Sequence, residues 1–165
     1  EGRDAVFLAS LGLDVTAIDI STAGLAKTQK LADEMNVTVK TVEADLFKWS
    51  WPEAGYDLVA SMFAHMPSAI RPQLHSVYIK SLAPGGFVFV EGFTKDQISY
   101  QEKYQSGGPH DVDMLYAAED ITSDFAALSQ QSCMTGVETL SEGSYHTGPA
   151  ALLRAVYQKT GDMND

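Results

Sequence analysis

Cysteine, basic residues and long apolar runs are all scarce in this chain of 165 residues. Its single cysteine, Cys133, excludes an internal disulfide framework, which fits a reducing compartment, so we expect a cytoplasmic protein. Only 11 Lys and Arg oppose 22 Asp and Glu, and the net charge of −11 argues against a nucleic acid or an anionic membrane as main partner. No apolar run approaches the roughly 20 residues that a membrane-spanning helix needs.

The rest of the composition is typical of a globular protein. Apolar residues make up 45% of the chain, which is enough to bury a sizeable core, and we predict a single domain over residues 1–165. The four histidines are scattered and show no metal-ligand spacing with Cys133, so we predict no metal site.

Apolar periodicity predicts alternating helices and strands. Strands are expected at 14–19, 37–45, 56–63 and 87–93, and helices at 3–11, 21–35, 68–82 and 118–129. Residues 94–116 have no clear pattern, and residues 135–159 are typical of an antiparallel hairpin. The sequence therefore predicts an α/β fold with a doubly wound, Rossmann-like, mostly parallel sheet that ends in an antiparallel hairpin.

Acidic residues stand at the ends of two successive predicted strands. In open α/β sheets, ligands bind at the carboxyl ends of the strands. Asp19 is placed to accept the hydroxyls of an adenosine ribose, or else to cap the next helix. Asp45 is placed to accept an amino hydrogen from adenine between the apolar walls of Leu46 and Phe47, or else to form a turn.

Four motifs follow one another in the order seen in a known family. The motifs are "LDVTAIDIS", "VEADL", "YDLVASMFAHMP" and "SLAPGGFVFVE". Together they resemble the class I S-adenosylmethionine-dependent methyltransferases over essentially the whole chain. The early "GR", "FAHMP", "GGPHDVDMLY" and the late "EGSYHTG" are similar to the small tellurite-resistance-type methyltransferases. "EGRDAVFLAS" looks like the end of the family's glycine loop and the helix after it, which implies an N-terminally truncated chain without its first central strand.

The resemblance implies S-adenosylmethionine as cofactor and a small molecule as methyl acceptor. The residues that it implies around the adenosine are Asp19, Ile20, Asp45 and Leu46. Those that it implies beside the methionine part are Gly2, Ser61 and Met62.

An acceptor that carries a proton would need a general base in such a site. His65 follows the 56–63 strand and is the candidate catalytic base, with a core or helix-capping histidine as the alternative. Phe63, Tyr100 and His146 are candidate substrate contacts, although the position of His146 favours a plain surface loop residue. Residues 94–116 would be a lid with Gly107 and Gly108 as hinge, or a surface connection with an embedded helix.

Two rival functions remain open at this point. A nicotinamide-dependent oxidoreductase would also use Asp19 on a ribose. A truncated, non-catalytic remnant would bind cofactor weakly or only pair with another chain. The sequence leaves the oligomeric state open.

Overall fold

The computed structural model describes residues 2–143 and 146–161. Contacts within the chain divide it into two compact units, Glu1–Ser50 and Trp51–Asp165. Each unit has its own sheet and is described by itself. The assignment of residues 1–165 to one domain stays a prediction.

The first unit alternates helices with strands as expected. Its elements are α1 (Arg3–Ser10), β1 (Val15–Asp19), α2 (Thr22–Glu34) and β2 (Val39–Glu43). Strands β1 and β2 pair in parallel without a register shift, from Val15 opposite Val39 to Asp19 opposite Glu43. Parallel pairing brings both carboxyl ends to one edge of this small sheet.

Local signals explain how the first unit folds. The side chain of Ser21 accepts a hydrogen bond from the Gly24 amide at 3.1 Å and so caps α2, as is typical of a serine directly before a helix. Val6, Ala32 and Val39 form its buried core. Met35, which the helical pattern would place on the buried face, ends the helix and is 56% exposed.

The second unit carries a four-stranded sheet in the order β3-β4-β6-β5. Its strands are β3 (Tyr56–Met62), β4 (Leu82–Phe93), β5 (Ser129–Ser141) and β6 (Thr147–Gln158). Its helices are α3 (Arg71–Ser81), α4 (Gln97–Tyr104) and α5 (Ala118–Asp124). The predicted terminal hairpin is confirmed, and β6 inserts between β4 and β5 with antiparallel pairing to both.

The α/β class is confirmed, but the pairing differs from the prediction in one respect. Among the described strands two pairs are parallel (β1-β2 and β3-β4) and two are antiparallel (β4-β6 and β5-β6), so the two-stranded sheet is parallel and the four-stranded sheet is mixed. The insertion of β6 explains this, because it creates two antiparallel ladders. The absence of a first central strand stays a prediction. No described helix is long and apolar enough to cross a membrane.

A buried ionic network joins α3 to α5. One oxygen of Asp124 accepts from Arg71 Nε at 2.6 Å and lies 2.8 Å from His75 Nδ1. All three side chains are 6% exposed or less. Burial lowers the pKa of His75 to about 4, although Asp124 works in the opposite direction. The histidine is therefore neutral at pH 7, and Arg71 carries the charge that balances Asp124.

We expect the buried His75 to make the fold sensitive to acid. Its pKa in the folded state lies below that of the unfolded chain, so the unfolded state takes up the proton first. Stability is thus lost as pH falls from about 6.5 to about 4, by on the order of 3 kcal/mol. Urea unfolding at pH 7 and at pH 4.5 measures the loss.

His75→Gln keeps a donor for Asp124 but cannot titrate, so its stability should fall less over this pH range. His110→Gln, at an exposed position, is the matched control and should behave like the natural chain. Equal acid sensitivity of His75→Gln and the natural chain would contradict the assignment.

Candidate functional site

Two carboxylates lie at the same edge of the β1-β2 sheet. Asp19 is the last residue of β1, opposite Glu43, and its carbonyl accepts from the Ala44 amide at 3.0 Å. Asp45 follows two positions after Glu43 on the neighbouring strand. Since adjacent strands lie about 5 Å apart, the two residues follow the same edge of the sheet. The positions of Asp19 and Asp45 at two neighbouring strand ends are as expected, and their roles toward a ligand stay predictions.

Each of these carboxylates also shapes its own turn. Asp19 Oδ1 accepts from the Ser21 amide at 2.9 Å, and Asp45 Oδ1 accepts from the Phe47 amide at 2.9 Å. The bond from Phe47 lowers the pKa of Asp45, and Lys48 lies 3.3 Å from the second oxygen, Oδ2. The turn at Asp45 is the alternative that the sequence offered, whereas α2 is capped by Ser21 and Asp19 accepts from the Ser21 amide instead. A carboxylate has about four acceptor positions, so a turn bond and a ligand bond are compatible.

The position of Gly2 at the start of α1 has no room for a side chain. Its φ of 79° lies in the left-handed region. A Cβ atom there would come within 2.4 Å of Thr28 Oγ1 and 2.6 Å of Thr28 Cα, which only glycine avoids. The close approach seats α1 on α2. Ile20, at the same edge as Asp19, is 72% exposed, and Leu46 is half-buried.

Ser61 and Met62, at the carboxyl end of β3, differ in the groups that they can present to a ligand. Ser61 is 5% exposed and hydrogen-bonded to Tyr78, whose pKa burial raises, so its hydroxyl is committed to the core. Only the backbone of Ser61 is left for a ligand. Met62 is half-buried and lies opposite Glu91 of β4.

His65 has both ring nitrogens in hydrogen bonds. Nδ1 donates to the Met114 carbonyl at 2.8 Å, and Nε2 accepts from the Phe93 amide at 3.0 Å. The ring packs on Tyr116 with centroids 4.5 Å apart, and burial lowers its pKa. This geometry leaves no nitrogen lone pair for a substrate proton. It favours the structural alternative, and the catalytic role of His65 stays a prediction that this arrangement does not support.

The three candidate substrate contacts divide into two places. Phe63 and His146 come together, with ring centroids 4.5 Å apart, and Phe93 lies 4.9 Å from Phe63. Tyr100 instead stacks on Tyr104 at 6.0 Å. It lines a cavity of about 370 Å³ whose walls include neither Phe63 nor His146; the walls are Thr94, Asp96, Ser99, Tyr100, Thr135, Gly136, Val137 and Ala151.

Residues 94–116 contain α4, so the alternative of an embedded helix is the one observed. Gln97 is fully buried, and its Nε2 donates to Ser106 Oγ at 3.0 Å and to the Gly107 carbonyl at 2.8 Å. Its Oε1 accepts from the Ala151 amide at 2.8 Å. Through Gln97, these bonds tie the expected hinge residue Gly107 to β6. The arrangement therefore does not favour a lid that opens at Gly107. Sequence patterns gave no signal for a buried glutamine.

Sequence reasoning also missed a neighbour of His146. Glu142 Oε2 lies 3.5 Å from His146 Nδ1, and the two residues are four positions apart in the β5-β6 connection. The spacing of four residues predicts a contact only within a helix, so the sequence carried no usable signal for this pair. No group of three or more His, Cys, Asp or Glu that could hold a metal ion occurs within residues 2–143 and 146–161.

Comparison with known proteins gives one family and many similar folds. The model of a methyltransferase domain matches residues 1–86, which is more than half of the chain. No curated protein matches significantly. One similar structure comes from work on the conversion of a disulfide bond into a thioacetal group during echinomycin biosynthesis. It is 17% identical with a TM-score of 0.77, and the match covers 99% of this chain and 73% of that one.

Two further solved structures show the same fold. A SAM-dependent methyltransferase from Methanosarcina mazei is 14% identical with a TM-score of 0.73, and the match covers 98% of this chain and 89% of that one. TehB from Haemophilus influenzae is 15% identical with a TM-score of 0.73, with coverage of 96% and 54%. At these identities the likeness establishes the fold, and the domain match establishes the family.

The hydrogen bonds of His65 predict a loss of stability when the ring is replaced. His65→Phe preserves the stacking but leaves the Phe93 amide and the Met114 carbonyl without their partner. We expect a loss of about 2 kcal/mol or more, since each unsatisfied buried group costs about 1–3 kcal/mol. Chemical denaturation measures this against His110→Phe at an exposed position. Equal stability of the two variants would show that His65 has no structural role.

Proposed function

The chain belongs to the methyltransferase domain family, and we propose on that basis that it transfers a methyl group from S-adenosylmethionine to a small-molecule acceptor. The observation that carries the proposal is the pair of carboxylates at the carboxyl ends of β1 and β2. Both lie within the part of the chain that the family model matches. The similar structure from Methanosarcina mazei, which is described as SAM-dependent, supports the choice of cofactor.

The residues at this edge fit an adenosine group chemically. Asp19 offers carboxylate oxygens to the two ribose hydroxyls. Asp45, held ionised by its bond from the Phe47 amide, offers an oxygen to the exocyclic amine of adenine. Exposed Ile20 and half-buried Leu46 supply apolar surface for the flat ring. The backbone freedom of Gly2 supports a close approach of the methionine part to the start of α1.

The cofactor would bring a methyl group that its sulfonium has already activated. The protein then has two tasks, which are to hold the acceptor in line with the methyl carbon and to take up any proton that the acceptor loses. Positioning alone is worth up to about 7–11 kcal/mol of the barrier. Phe63 and His146 are the described residues that we propose for acceptor contact, because their rings meet beyond the end of β3.

The two rival functions lack comparable support. A nicotinamide-dependent oxidoreductase would explain Asp19, but the family match is to a methyltransferase domain. A non-catalytic remnant has no observation in its favour among the described contacts. The relation to the tellurite-resistance-type subgroup and the roles of Ser61 and Met62 stay predictions.

Asp19→Ala should weaken the binding of S-adenosylmethionine. The variant loses a charge-assisted acceptor for the ribose hydroxyls, so we expect a loss of about 1–3 kcal/mol, or roughly 5- to 150-fold in Kd. Isothermal titration calorimetry with S-adenosylmethionine and, separately, with NAD measures it. Asp14→Ala is the matched control, because Asp14 is exposed just before the opposite end of β1 and the charge change is the same.

We expect the natural chain and Asp14→Ala to bind S-adenosylmethionine alike and to prefer it to NAD. Preference for NAD would favour the oxidoreductase. Unchanged affinity in Asp19→Ala would remove Asp19 from the site.

A further inference from the structure

The proposed reaction still needs a group that takes up the acceptor's proton. His65, which the sequence favours for this role, has both ring nitrogens in hydrogen bonds. Nε2 of His65, the nitrogen that would have to take up a proton, already accepts from the Phe93 amide at 3.0 Å. Nδ1 donates to the Met114 carbonyl. Burial is the main cause of the lowered pKa of His65, and a second imidazole nearby, that of His146, adds to it. The two rings flank Phe93, at 5.7 Å and 5.4 Å between centroids.

His146 has the geometry that His65 lacks. Its Nδ1 lies 3.5 Å from Glu142 Oε2, and a carboxylate at that nitrogen favours the tautomer whose proton is on Nδ1. Its Nε2 has no hydrogen-bond partner in the part of the chain that the structure describes. The side chain is 27% exposed, so a small molecule can reach it. The backbone is held in place, since the His146 carbonyl accepts from the Glu142 amide at 2.8 Å.

Phe63, whose ring contacts that of His146, has an unusual backbone conformation. Phe63 has a φ of 53°, which lies in the left-handed region that residues with large side chains rarely adopt. Its amide donates to the Glu91 carbonyl at 2.8 Å, so the turn is tied to β4 directly after β3 ends. Such backbone outliers cluster at functional sites. Here the outlier accompanies the contact of the half-buried Phe63 ring with His146.

We propose that His146, oriented by Glu142 and packed on Phe63, binds an aromatic hydroxyl or thiol and takes up its proton. The inference rests on the proposed methyl transfer for its biological meaning. We infer an aromatic acceptor because the surface consists of the two partly exposed rings of Phe63 and His146. We infer an acidic O–H or S–H group because the imidazole of His146, beside the Glu142 carboxylate, can accept its proton. Flat rings stack well on such a surface.

The chemistry balances with one proton and one methyl group. The acceptor's hydroxyl or thiol proton moves to His146 Nε2, and Glu142 stabilises the imidazolium that results. The electron pair left on oxygen or sulfur forms a bond to the methyl carbon of a sulfonium donor. The carbon–sulfur bond of the donor breaks, and its electron pair stays on the departing thioether. A general base of this kind contributes roughly 10²- to 10⁴-fold in rate.

The test needs neither the natural acceptor nor the methyl donor. 4-Nitrophenol is an aromatic hydroxyl whose ionised form is yellow, so absorbance reports both its binding and its proton loss. If His146 takes up the proton, binding to the natural chain should lower the apparent pKa of the probe by about one unit, which is tenfold in the ionisation constant. His146→Gln should abolish this shift and weaken binding of the probe about tenfold.

Two controls separate the role of the nitrogen from that of the surface. His110→Gln makes the same change at an exposed position elsewhere and should leave binding and ionisation as in the natural chain. Phe63→Leu should weaken binding of the probe at every pH, because the stacking surface is lost. Circular dichroism checks that each variant is folded.

The proposal is overturned if the natural chain does not bind 4-nitrophenol, or if His146→Gln binds and ionises it as the natural chain does. The calorimetric titration with S-adenosylmethionine decides the proposed function separately. Binding of the cofactor with no effect at His146 would leave the methyltransferase proposal standing and remove only this base.

Discussion

Parallel strand pairing is the constraint on which the candidate sites depend. In the first unit it carries β1 and β2 to one edge in unbroken register, so that Asp19 and Asp45 both lie at that edge. In the second unit the pairing of β3 with β4 brings Phe63 to Phe93. Residues far apart in the chain become neighbours only because both strands end in the same direction.

Much of this arrangement could be predicted from the sequence, because it depends on local patterns. Strands of parallel sheets are short apolar runs, and Ser21 has the chemistry of a helix cap, so β1, α2 and the exit at Asp19 were predictable, although β1 is only half-buried. The roles of individual histidines were not. Hydrogen bonds from His65 to Met114 and Phe93 join distant segments, and no sequence pattern encodes them. The same is true of the three bonds made by the side chain of Gln97.

Three histidines of the second unit show how environment assigns a role to one side-chain type. His75 is buried beside Asp124 and is kept neutral by burial. His65 has both nitrogens in hydrogen bonds and serves as a structural link. His146 is partly exposed, with one nitrogen facing Glu142. Of these three, the last combines accessibility with a nitrogen that has no partner among the residues that the structure describes, and a general base needs both properties.

The central claim is that the edge shared by β1 and β2 binds the adenosine of a methyl donor. The most direct measurement is a two-dimensional amide NMR titration of the whole chain with S-adenosylhomocysteine, the product form of the cofactor. The account predicts saturable shifts that are largest in the turns after the two strands, at residues 19–24 and 44–48. Saturable shifts confined to other parts of the chain, or no shifts at all, would contradict it.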